Sequence, residues 1–182
     1  MQNEDEIVIA LSKFKIILMI AGSLAFVVGG LWLTTLDSEQ IESSRKYSNP
    51  QIAHAVGYIC MAFFGLCAAY GITKLFDSKP GLIFNHKGIT DNSSGVAAGL
   101  IPWAEISGFS EYQIQRQKML IIHVQDPKKY VDRGGAMKRA LNNANMKMVG
   151  SPIAISSNSL KISYSKLLEL VENSFSKYGS GA

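Results

Sequence analysis

Three histidines and two cysteines are the residues of this 182-residue chain that most readily bind metals or act as nucleophiles and bases. His54, His86 and His123 lie in an apolar run, a turn and an apolar strand, and no two of them have the spacing of metal ligands. Cys60 and Cys67 lie in one apolar run, which indicates small packing residues instead of a disulfide or a metal pair. The sequence therefore predicts no metal site and no cofactor.

Catalytic motifs are also missing from the sequence. It contains no H-E-x-x-H, C-x-x-C, G-x-S-x-G or G-x-x-x-x-G-K-S/T pattern. Serine-rich turns supply hydroxyl groups, but the sequence assigns no base to any of them. His123 is most simply a sheet residue whose ring faces solvent or a local acceptor. We predict that the protein is not an enzyme.

Basic side chains form a clearer pattern, which we call the basic cluster. Residues 80–182 hold 12 Lys and Arg against 7 Asp and Glu, whereas residues 1–79 hold 6 against 7. Each basic residue beside an anionic membrane contributes an attraction of about 1 kcal/mol. We predict that the cluster contacts anionic lipid headgroups; the alternative is a solvated basic surface that docks on nothing. Its members are Arg116, Lys118, Lys128, Lys129, Arg133, Lys138, Arg139 and Lys147. Nucleic acid is not expected as a partner, because Tyr130 is the only aromatic residue among them.

Two side chains of a predicted strand have alternative interpretations. Trp103 is predicted to be a core or domain-edge aromatic residue, with ligand stacking as the alternative. Glu105 is predicted to be an exposed strand carboxylate, with an ion pair to a cation across the sheet as the alternative.

Two long runs without charged residues precede this region. Residues 16–36 contain no Asp, Glu, Lys, Arg or His, and a helix of this length spans about 31 Å, close to the hydrocarbon thickness of a bilayer. Residues 51–73 follow the helix breaker Pro50 and contain no full charge. Both runs are predicted as transmembrane helices. The alternatives are buried helices of a soluble bundle and, for the first run, a cleaved signal peptide, which the acidic residues 4–6 disfavour.

Small residues recur every four positions in both runs, a spacing that lets helix backbones approach closely. We predict that the two helices pack as a tight hairpin. The alternative is that the spacing reflects only the general abundance of Gly and Ala in transmembrane helices. The residues concerned are Ala21, Ala25 and Gly29, then Ala53 and Gly57, then Gly65 and Ala69.

Flanking charges predict the orientation of the hairpin. Two lysines flank each run on its outer side, whereas residues 37–50 mix acidic with basic residues. We therefore predict a multi-pass protein of the bacterial inner membrane. The cytoplasmic N-terminal segment is residues 1–15, the periplasmic loop is residues 37–50 and the cytoplasmic domain is residues 80–182.

From residue 80 onward the hydrophobic period changes from that of helices to that of strands. Two hairpins are predicted, one at residues 82–90 around a turn and one at residues 153–162 around a second turn. Further strands are predicted at residues 100–103, 109–114 and 119–124, of which the last is the most apolar and is expected to be central. Residues 7–11 are also strand-like and are expected to add to a sheet edge.

Two helices are predicted in the same region. Residues 135–148 form an inserted short helix, with Met137, Ala140, Leu141 and Ala144 on one face. The last helix follows a predicted N-cap at Ser163 and carries an apolar stripe that suits packing on a sheet. The stripe consists of Tyr164, Leu167, Leu168, Val171, Phe175 and Tyr178.

The order of these elements predicts the fold class. About seven strands and one C-terminal helix suggest a small antiparallel β roll capped by a helix, which is the plan of a pleckstrin-homology-like domain. The predicted whole is an α+β membrane protein: a transmembrane α-hairpin followed by a pleckstrin-homology-like antiparallel β roll with a C-terminal capping helix.

Short motifs in a defined order also resemble those of a known family. They are Ser-Lys at 12–13, KLFDSKPGL at 74–82, GITDNS at 88–93, IPWAEI at 101–106 and IAIS at 153–156. With the two apolar runs, they resemble a family of uncharacterised small bacterial inner-membrane proteins that carry two transmembrane helices before a bacterial pleckstrin-homology-like domain. The resemblance covers nearly the whole chain and implies architecture and membrane location, but no activity.

These observations lead to two expected functions. The first is a membrane-anchored, non-catalytic binding or scaffold protein that presents its domain at the cytoplasmic face for a lipid, a protein partner or another copy of the chain. The alternative is an immunity-type or envelope-stress protein that protects the membrane by binding a toxin through the periplasmic loop and the spans.

Overall fold

The computed structural model describes residues 6–42 and 49–179. The chain divides into two compact units. The helical unit is formed by residues 13–77, and the β unit combines residues 1–12 with residues 78–182. Parts of the predicted acidic segment and of the predicted periplasmic loop, residues 4–5 and 43–48, lie outside the described residues. The fold is α+β, with two long apolar helices followed by antiparallel sheets.

The helical unit consists of α1 (Lys13–Thr35), the short α2 (Ser38–Glu42) and α3 (Pro50–Phe76). The helix α1 begins three residues before the predicted run, and α3 ends three residues after its predicted run. Helix α3 begins where expected, because the Asn49 Oδ1 accepts a hydrogen bond from the Gln51 N–H at 2.9 Å and Pro50 occupies the first turn.

Both long helices are long and apolar enough to cross a membrane. Only 11% and 17% of the residues in their most apolar windows are buried. A core helix of a soluble bundle buries most of its apolar side chains. The low burial of α1 and α3 therefore disfavours the alternative that they are buried helices of a soluble bundle. Their exposed apolar surface is compatible with contact with lipid.

The two long helices pack closely at one pair of glycines. A Cβ placed on Gly30 would lie 2.8 Å from the Gly57 carbonyl oxygen, and a Cβ on Gly57 would lie 2.7 Å from Thr34. Ala53 is completely buried in the same contact surface, whereas Gly29 has no atom within 4 Å of an added Cβ. The hairpin is tight as predicted, with Ala53 and Gly57 in the contact.

The other predicted small residues do not form the contact. Ala21, Ala25 and Ala69 are exposed, and an added Cβ at Gly65 would meet nothing within 4 Å. A spacing of four residues marks one face of a helix but not which face meets the partner, so the sequence pattern selected the wrong face of α1.

Polar side chains join the ends of the hairpin. The Lys13 ammonium donates hydrogen bonds to the carbonyl oxygens of Lys74, Leu75 and Asp77, the last at 2.6 Å. At the opposite end, the His54 Nε2 lies 3.0 Å from the Leu36 carbonyl oxygen. Helix C-termini leave carbonyl groups without intrahelical partners, and a cation is favourable there. The carbonyl groups at the C-terminal end of each long helix are therefore contacted by a side chain of the other helix.

The β unit contains two antiparallel sheets. The first has the strand order β1-β2-β3-β4, and the second has the order β5-β6-β7, so that β6 is central as predicted. The strands are Ile7–Ile9 (β1), Leu82–Asn85 (β2), Gly88–Asp91 (β3), Gly99–Pro102 (β4), Ile106–Ile114 (β5), Gln117–Val124 (β6) and Ile153–Ser156 (β7). The helices of this unit are α4 (Pro127–Val131), α5 (Ala136–Val149) and α6 (Tyr164–Tyr178).

Strand β1 belongs to the β unit although the whole helical unit separates it from β2. The register places Ile9 opposite Leu82. The Gly81 N–H also donates to the Ile9 carbonyl oxygen at 2.8 Å. The β unit is therefore discontinuous in sequence, and the helical unit is inserted between its first two strands. The predicted order was a helical hairpin followed by the complete β domain. In the structure, the first strand of that domain precedes the helices.

The predicted second hairpin is wrong. The residues after β7 form a short 3-10 helix, Ser157–Ser159, which begins where the Ser156 Oγ accepts a hydrogen bond from the Asn158 N–H. This local bond turns the chain away from β7. Leu160 instead pairs with Leu11 of the N-terminal segment.

Trp103 and α6 complete the core of the β unit. Trp103 is only 4% exposed, and its Nε1 donates to the Asn85 carbonyl oxygen at 2.8 Å. It lies in a short 3-10 helix instead of the predicted strand, but its interpretation as a core residue is confirmed. Leu167 and Val171 of the predicted α6 stripe are completely buried, and Phe175 packs 5.1 Å from the ring of Phe109. Ser163 caps α6 as predicted.

The glycine contact in the helical unit predicts a difference between two neighbouring substitutions. Gly30→Ala should weaken the packing of α1 on α3 by about 1–3 kcal/mol, because the added methyl group meets the Gly57 backbone. Gly29→Ala adds the same methyl group where nothing lies within 4 Å and should leave stability nearly unchanged. Thermal unfolding of the full chain in mild detergent measures both. Equal loss in the two variants would contradict the contact.

Candidate functional site

The basic cluster of eight residues divides into two groups in the structure. Four members form hydrogen bonds or ion pairs within the β unit, and the other four are exposed without such a contact. The first group is Lys118, Lys129, Arg133 and Lys138. The second group is Arg116, Lys128, Arg139 and Lys147, whose side chains have no partner within residues 6–42 and 49–179. Half of the predicted headgroup-binding residues therefore already form contacts within the β unit.

Arg133 and Lys138 bind the start of β4 and the loop that precedes it. The Arg133 Nη1 donates to the carbonyl oxygens of Ala98 and Leu100 at 2.8 and 3.0 Å. The Lys138 ammonium donates to the Ala97 carbonyl oxygen at 2.6 Å. An open strand edge exposes carbonyl groups that can pair with another chain. Arg133 occupies that edge at Leu100, and the two cations together fix the segment that contains α4 and α5.

Glu105 forms the polar centre of the same region. The Lys129 ammonium donates to its Oε1 at 2.6 Å, and the Tyr130 hydroxyl donates to its Oε2 at 2.8 Å. The prediction of an exposed strand carboxylate is wrong, because Glu105 ends a 3-10 helix and faces α4. The alternative, an ion pair, is correct, although the cation comes from α4 and not from across the sheet.

These contacts change the acidity of both partners. The hydrogen bond from Lys129, followed by that from Tyr130, lowers the pKa of Glu105 below 4.5. Burial, followed by the hydrogen bond to Glu105, raises the pKa of Tyr130 above its ordinary value of 10.0. The carboxylate and the neutral hydroxyl therefore coexist over a wide pH range, and their hydrogen bond persists at neutral pH.

Helix α5 turns its apolar face outward. Met137, Leu141 and Met148 are 73%, 50% and 59% exposed. Asn142, on another face of α5, is only 2% exposed, and its Nδ2 donates to the Tyr130 carbonyl oxygen at 3.1 Å. The apolar pattern was visible in the sequence, but a helix of a soluble domain usually turns such a face to the core. Only the contacts of Asn142 and its neighbours reveal the orientation.

The histidines do not assemble a metal site or a recognised catalytic set. The His123 Nε2 is hydrogen-bonded to the Ser110 Oγ at 2.7 Å, which agrees with the expected local acceptor. A serine nucleophile also needs a base that a third group orients, and His123 has no second hydrogen-bonding partner in the part of the chain that the structure describes. Within those residues, no group of three His, Cys, Asp or Glu side chains has a geometry that would hold a metal ion.

The buried carboxylate of Asp91 is accounted for by the fold. Its Oδ1 accepts hydrogen bonds from the backbone and the hydroxyl of Ser93, at 2.8 and 2.6 Å. Its Oδ2 accepts from the Ala98 N–H at 2.9 Å. Asp91 therefore closes the loop that joins β3 to β4 and is not an open site.

Comparisons with protein-family models, with curated proteins and with solved structures give no match. The resemblance to a family of bacterial inner-membrane proteins therefore stays a prediction. The surface formed by α4, α5 and the exposed Lys128, Arg139 and Lys147 on these helices is the candidate functional site, whereas Arg116 lies apart from it in the turn between β5 and β6.

Replacement of Glu105 tests the polar centre. Glu105→Gln should lower the free energy of unfolding by about 1 kcal/mol at pH 7, because the charged hydrogen bonds are lost at a carboxyl group that is 29% exposed. The pKa of Glu105 is lower in the folded state, so its contribution is complete above the unfolded pKa and disappears as the pH falls through the folded pKa. The two proteins should therefore become equally stable in acid.

Urea denaturation of the full chain in detergent, from pH 7 to acid, measures this difference. Glu172→Gln makes the same charge change on the exposed side of α6 and is the control. A gap between wild type and Glu105→Gln that stays constant down to the lowest pH would contradict the proposed role of the carboxylate.

Proposed function

We propose that the protein is a membrane-anchored, non-catalytic binding or scaffold protein that presents a pleckstrin-homology-like domain at the cytoplasmic face of the bacterial inner membrane. The observation that carries the proposal is the insertion of two long apolar helices between the paired strands β1 and β2. An anchor built in this way holds a folded domain beside the bilayer through two chain connections.

The pairing of β1 with β2 supports the proposed topology. If α1 and α3 each cross the membrane once, the chain returns to the side from which it started. β1 and β2 are then in one compartment, as their hydrogen bonds require. Lysines 13, 15, 74 and 79 lie at this end of the hairpin, and positive charges near transmembrane helices favour the cytoplasm.

The topology of the β unit supports a pleckstrin-homology-like identity. Its described residues form seven strands, in antiparallel sheets of four and three, and a C-terminal helix whose apolar side is buried. The order of motifs that resembles the bacterial inner-membrane family supports the same identity. A fold of this kind serves many functions, so the site and not the fold carries the functional argument.

The contacts of the charged side chains support a binding role instead of catalysis. Glu105, Asp91 and Arg133 hold loops and strand edges within the β unit. The exposed cations without a contact in the described residues include Arg116, Lys128, Arg139 and Lys147. Such a surface suits attraction of an anionic partner better than proton transfer, which needs a group with a pKa near neutrality.

Chemical labelling of single cysteines in intact cells tests the topology. In a Cys60→Ala and Cys67→Ala background, Val8→Cys in β1 and Lys161→Cys before α6 should react with a membrane-impermeant maleimide only after lysis. Glu39→Cys in α2 should react in spheroplasts without lysis, because the connection between α1 and α3 is proposed to face the periplasm. Val8→Cys and Lys161→Cys labelled from opposite sides would contradict the proposal.

Photocrosslinking in native membranes tests the binding role and the toxin-binding alternative. Under the proposal, a photoreactive residue at Lys87, Arg116 or Lys161 of the β unit should give a discrete protein adduct, whereas one at Leu66, on the exposed surface of α3, should react with lipid. Adducts that form only from Glu39, after exposure to toxin-producing neighbours, would favour the immunity-type alternative. Absence of adducts from all three positions of the β unit would contradict a protein scaffold.

A further inference from the structure

The outer face of α5 is an apolar stripe formed by residues one turn apart. Met137, Leu141, Ala144 and Met148 follow the spacing of four, three and four residues that keeps side chains on one side of a helix. All four are exposed. The stripe therefore extends along three turns of α5 without any contact that would bury it.

Exposed apolar side chains are otherwise scattered over the β unit. Among its described residues, seven large apolar side chains are exposed. Three of the seven are on α5, and two of these, Met137 and Met148, are the most exposed of all. The remaining four are distributed over β1, β4 and β5. A continuous apolar patch of this kind marks an interaction surface, whereas isolated residues do not.

The inner side of α5 is held in place by polar contacts. The Lys138 ammonium reaches the Ala97 carbonyl oxygen, and the Asn142 side chain reaches the Tyr130 carbonyl oxygen. Rotation of α5 that buried Met137 and Leu141 would break both hydrogen bonds. The apolar stripe is therefore kept on the outside by the fold.

Charge around the stripe favours an anionic occupant. Arg139 and Lys147 lie on α5 and Lys128 lies on α4, and all three are exposed without a partner in the described residues. No Asp or Glu occurs between Asp132 and Glu169. Two copies of such a surface would repel each other, whereas an anionic lipid surface would attract it.

The chain connections make the membrane the nearest surface of that kind. Only residues 10–12 separate β1 from α1, and only residues 77–81 separate α3 from β2. Five residues span less than about 20 Å even when fully extended. If α1 and α3 are in the bilayer, as the proposed function states, the β unit experiences a high effective concentration of lipid headgroups.

We propose that α5 is an interfacial helix that lies in the headgroup region of an anionic membrane. Met137, Leu141 and Met148 insert between the lipids, and Arg139 and Lys147 contact anionic headgroups. Amphipathic helices with this combination bury their apolar face about 5–10 Å into the boundary between headgroups and acyl chains. The inference rests on the proposed membrane anchorage and adds a second attachment of the β unit to the same leaflet.

An environment-sensitive fluorophore on α5 of the full chain tests the insertion. The chain carries Cys60→Ala and Cys67→Ala, and the fluorophore is attached at Leu141→Cys or, as the matched control, at Asn143→Cys on the exposed polar side of the same helix. Each protein is reconstituted in vesicles of phosphatidylcholine alone and in vesicles that also contain phosphatidylglycerol. Lipids with a quencher on the acyl chain report direct contact.

The expected result is a shift to shorter wavelength at position 141, with quenching by the labelled lipid, in phosphatidylglycerol vesicles. Position 143, which lies between Arg139 and Lys147 on the polar side of the helix, should show a smaller shift and no quenching by the acyl-chain label. Equal emission at 141 and 143 would overturn the proposal, as would equal insertion in both kinds of vesicle. A shift that grows with the protein-to-lipid ratio but is not quenched would overturn it in favour of association between copies.

Charge variants test the headgroup contact separately. Arg139→Gln combined with Lys147→Gln should reduce the shift in phosphatidylglycerol vesicles to its value in phosphatidylcholine. Lys87→Gln combined with Lys161→Gln removes the same charge elsewhere on the β unit and should leave the shift unchanged. Equal effects of the two pairs would overturn a specific role for α5. The labelling of cysteines 8, 39 and 161 in cells decides independently whether the anchorage itself is correct.

Discussion

The antiparallel pairing of β1 with β2 constrains everything that lies between them. Opposed residues in antiparallel strands are only about 5 Å apart, so an insertion between Ile9 and Leu82 has to begin and end at nearly the same place. Two antiparallel helices meet this requirement, whereas a single long helix does not. The Lys13 ammonium adds to the closure, because it starts α1 and binds the carbonyl groups at the end of α3.

The same constraint connects the helical unit to the β unit. A domain attached to a membrane hairpin through one linker would turn freely around it, whereas a domain whose first strand precedes the hairpin is connected twice. The two connections are short, and each continues directly into a strand of the first sheet. If the hairpin spans a membrane, as proposed, a surface on the β unit would meet the bilayer with less loss of rotational freedom than one on a freely tethered domain.

The fold of the β unit determines which of its charged residues are engaged in internal contacts and which are available for binding. The net positive charge of residues 80–182 suggested one continuous surface for anionic lipids. Arg133 and Lys138 instead satisfy backbone carbonyl groups of β4 and of the loop that precedes it, and Lys129 neutralises Glu105. Such contacts join residues more than 20 positions apart in sequence, so no local pattern distinguishes these cations from the exposed Arg139 and Lys147.

Local signals predicted the elements well. The two apolar runs, the central position of β6, the cap at Ser163 and the apolar stripe of α6 depend on residue type and short-range periodicity, which the chain carries wherever it folds. The predicted hairpin at residues 153–162 failed because a local serine hydrogen bond and a distant N-terminal segment competed with strand pairing. Glu105 was misplaced because the strand in which it was expected is interrupted by a 3-10 helix.

By itself, the sequence determined that two apolar helices and an antiparallel β region exist, because hydrophobic length and period are properties of neighbouring residues. The tertiary structure decided that the helices are inserted within the β unit, since only the pairing of β1 with β2 shows it. It also decided which face of α5 is exposed and which cations are free. These outcomes depend on hydrogen bonds between segments that are distant in sequence. The donor and acceptor of each such bond come together only when the chain has folded.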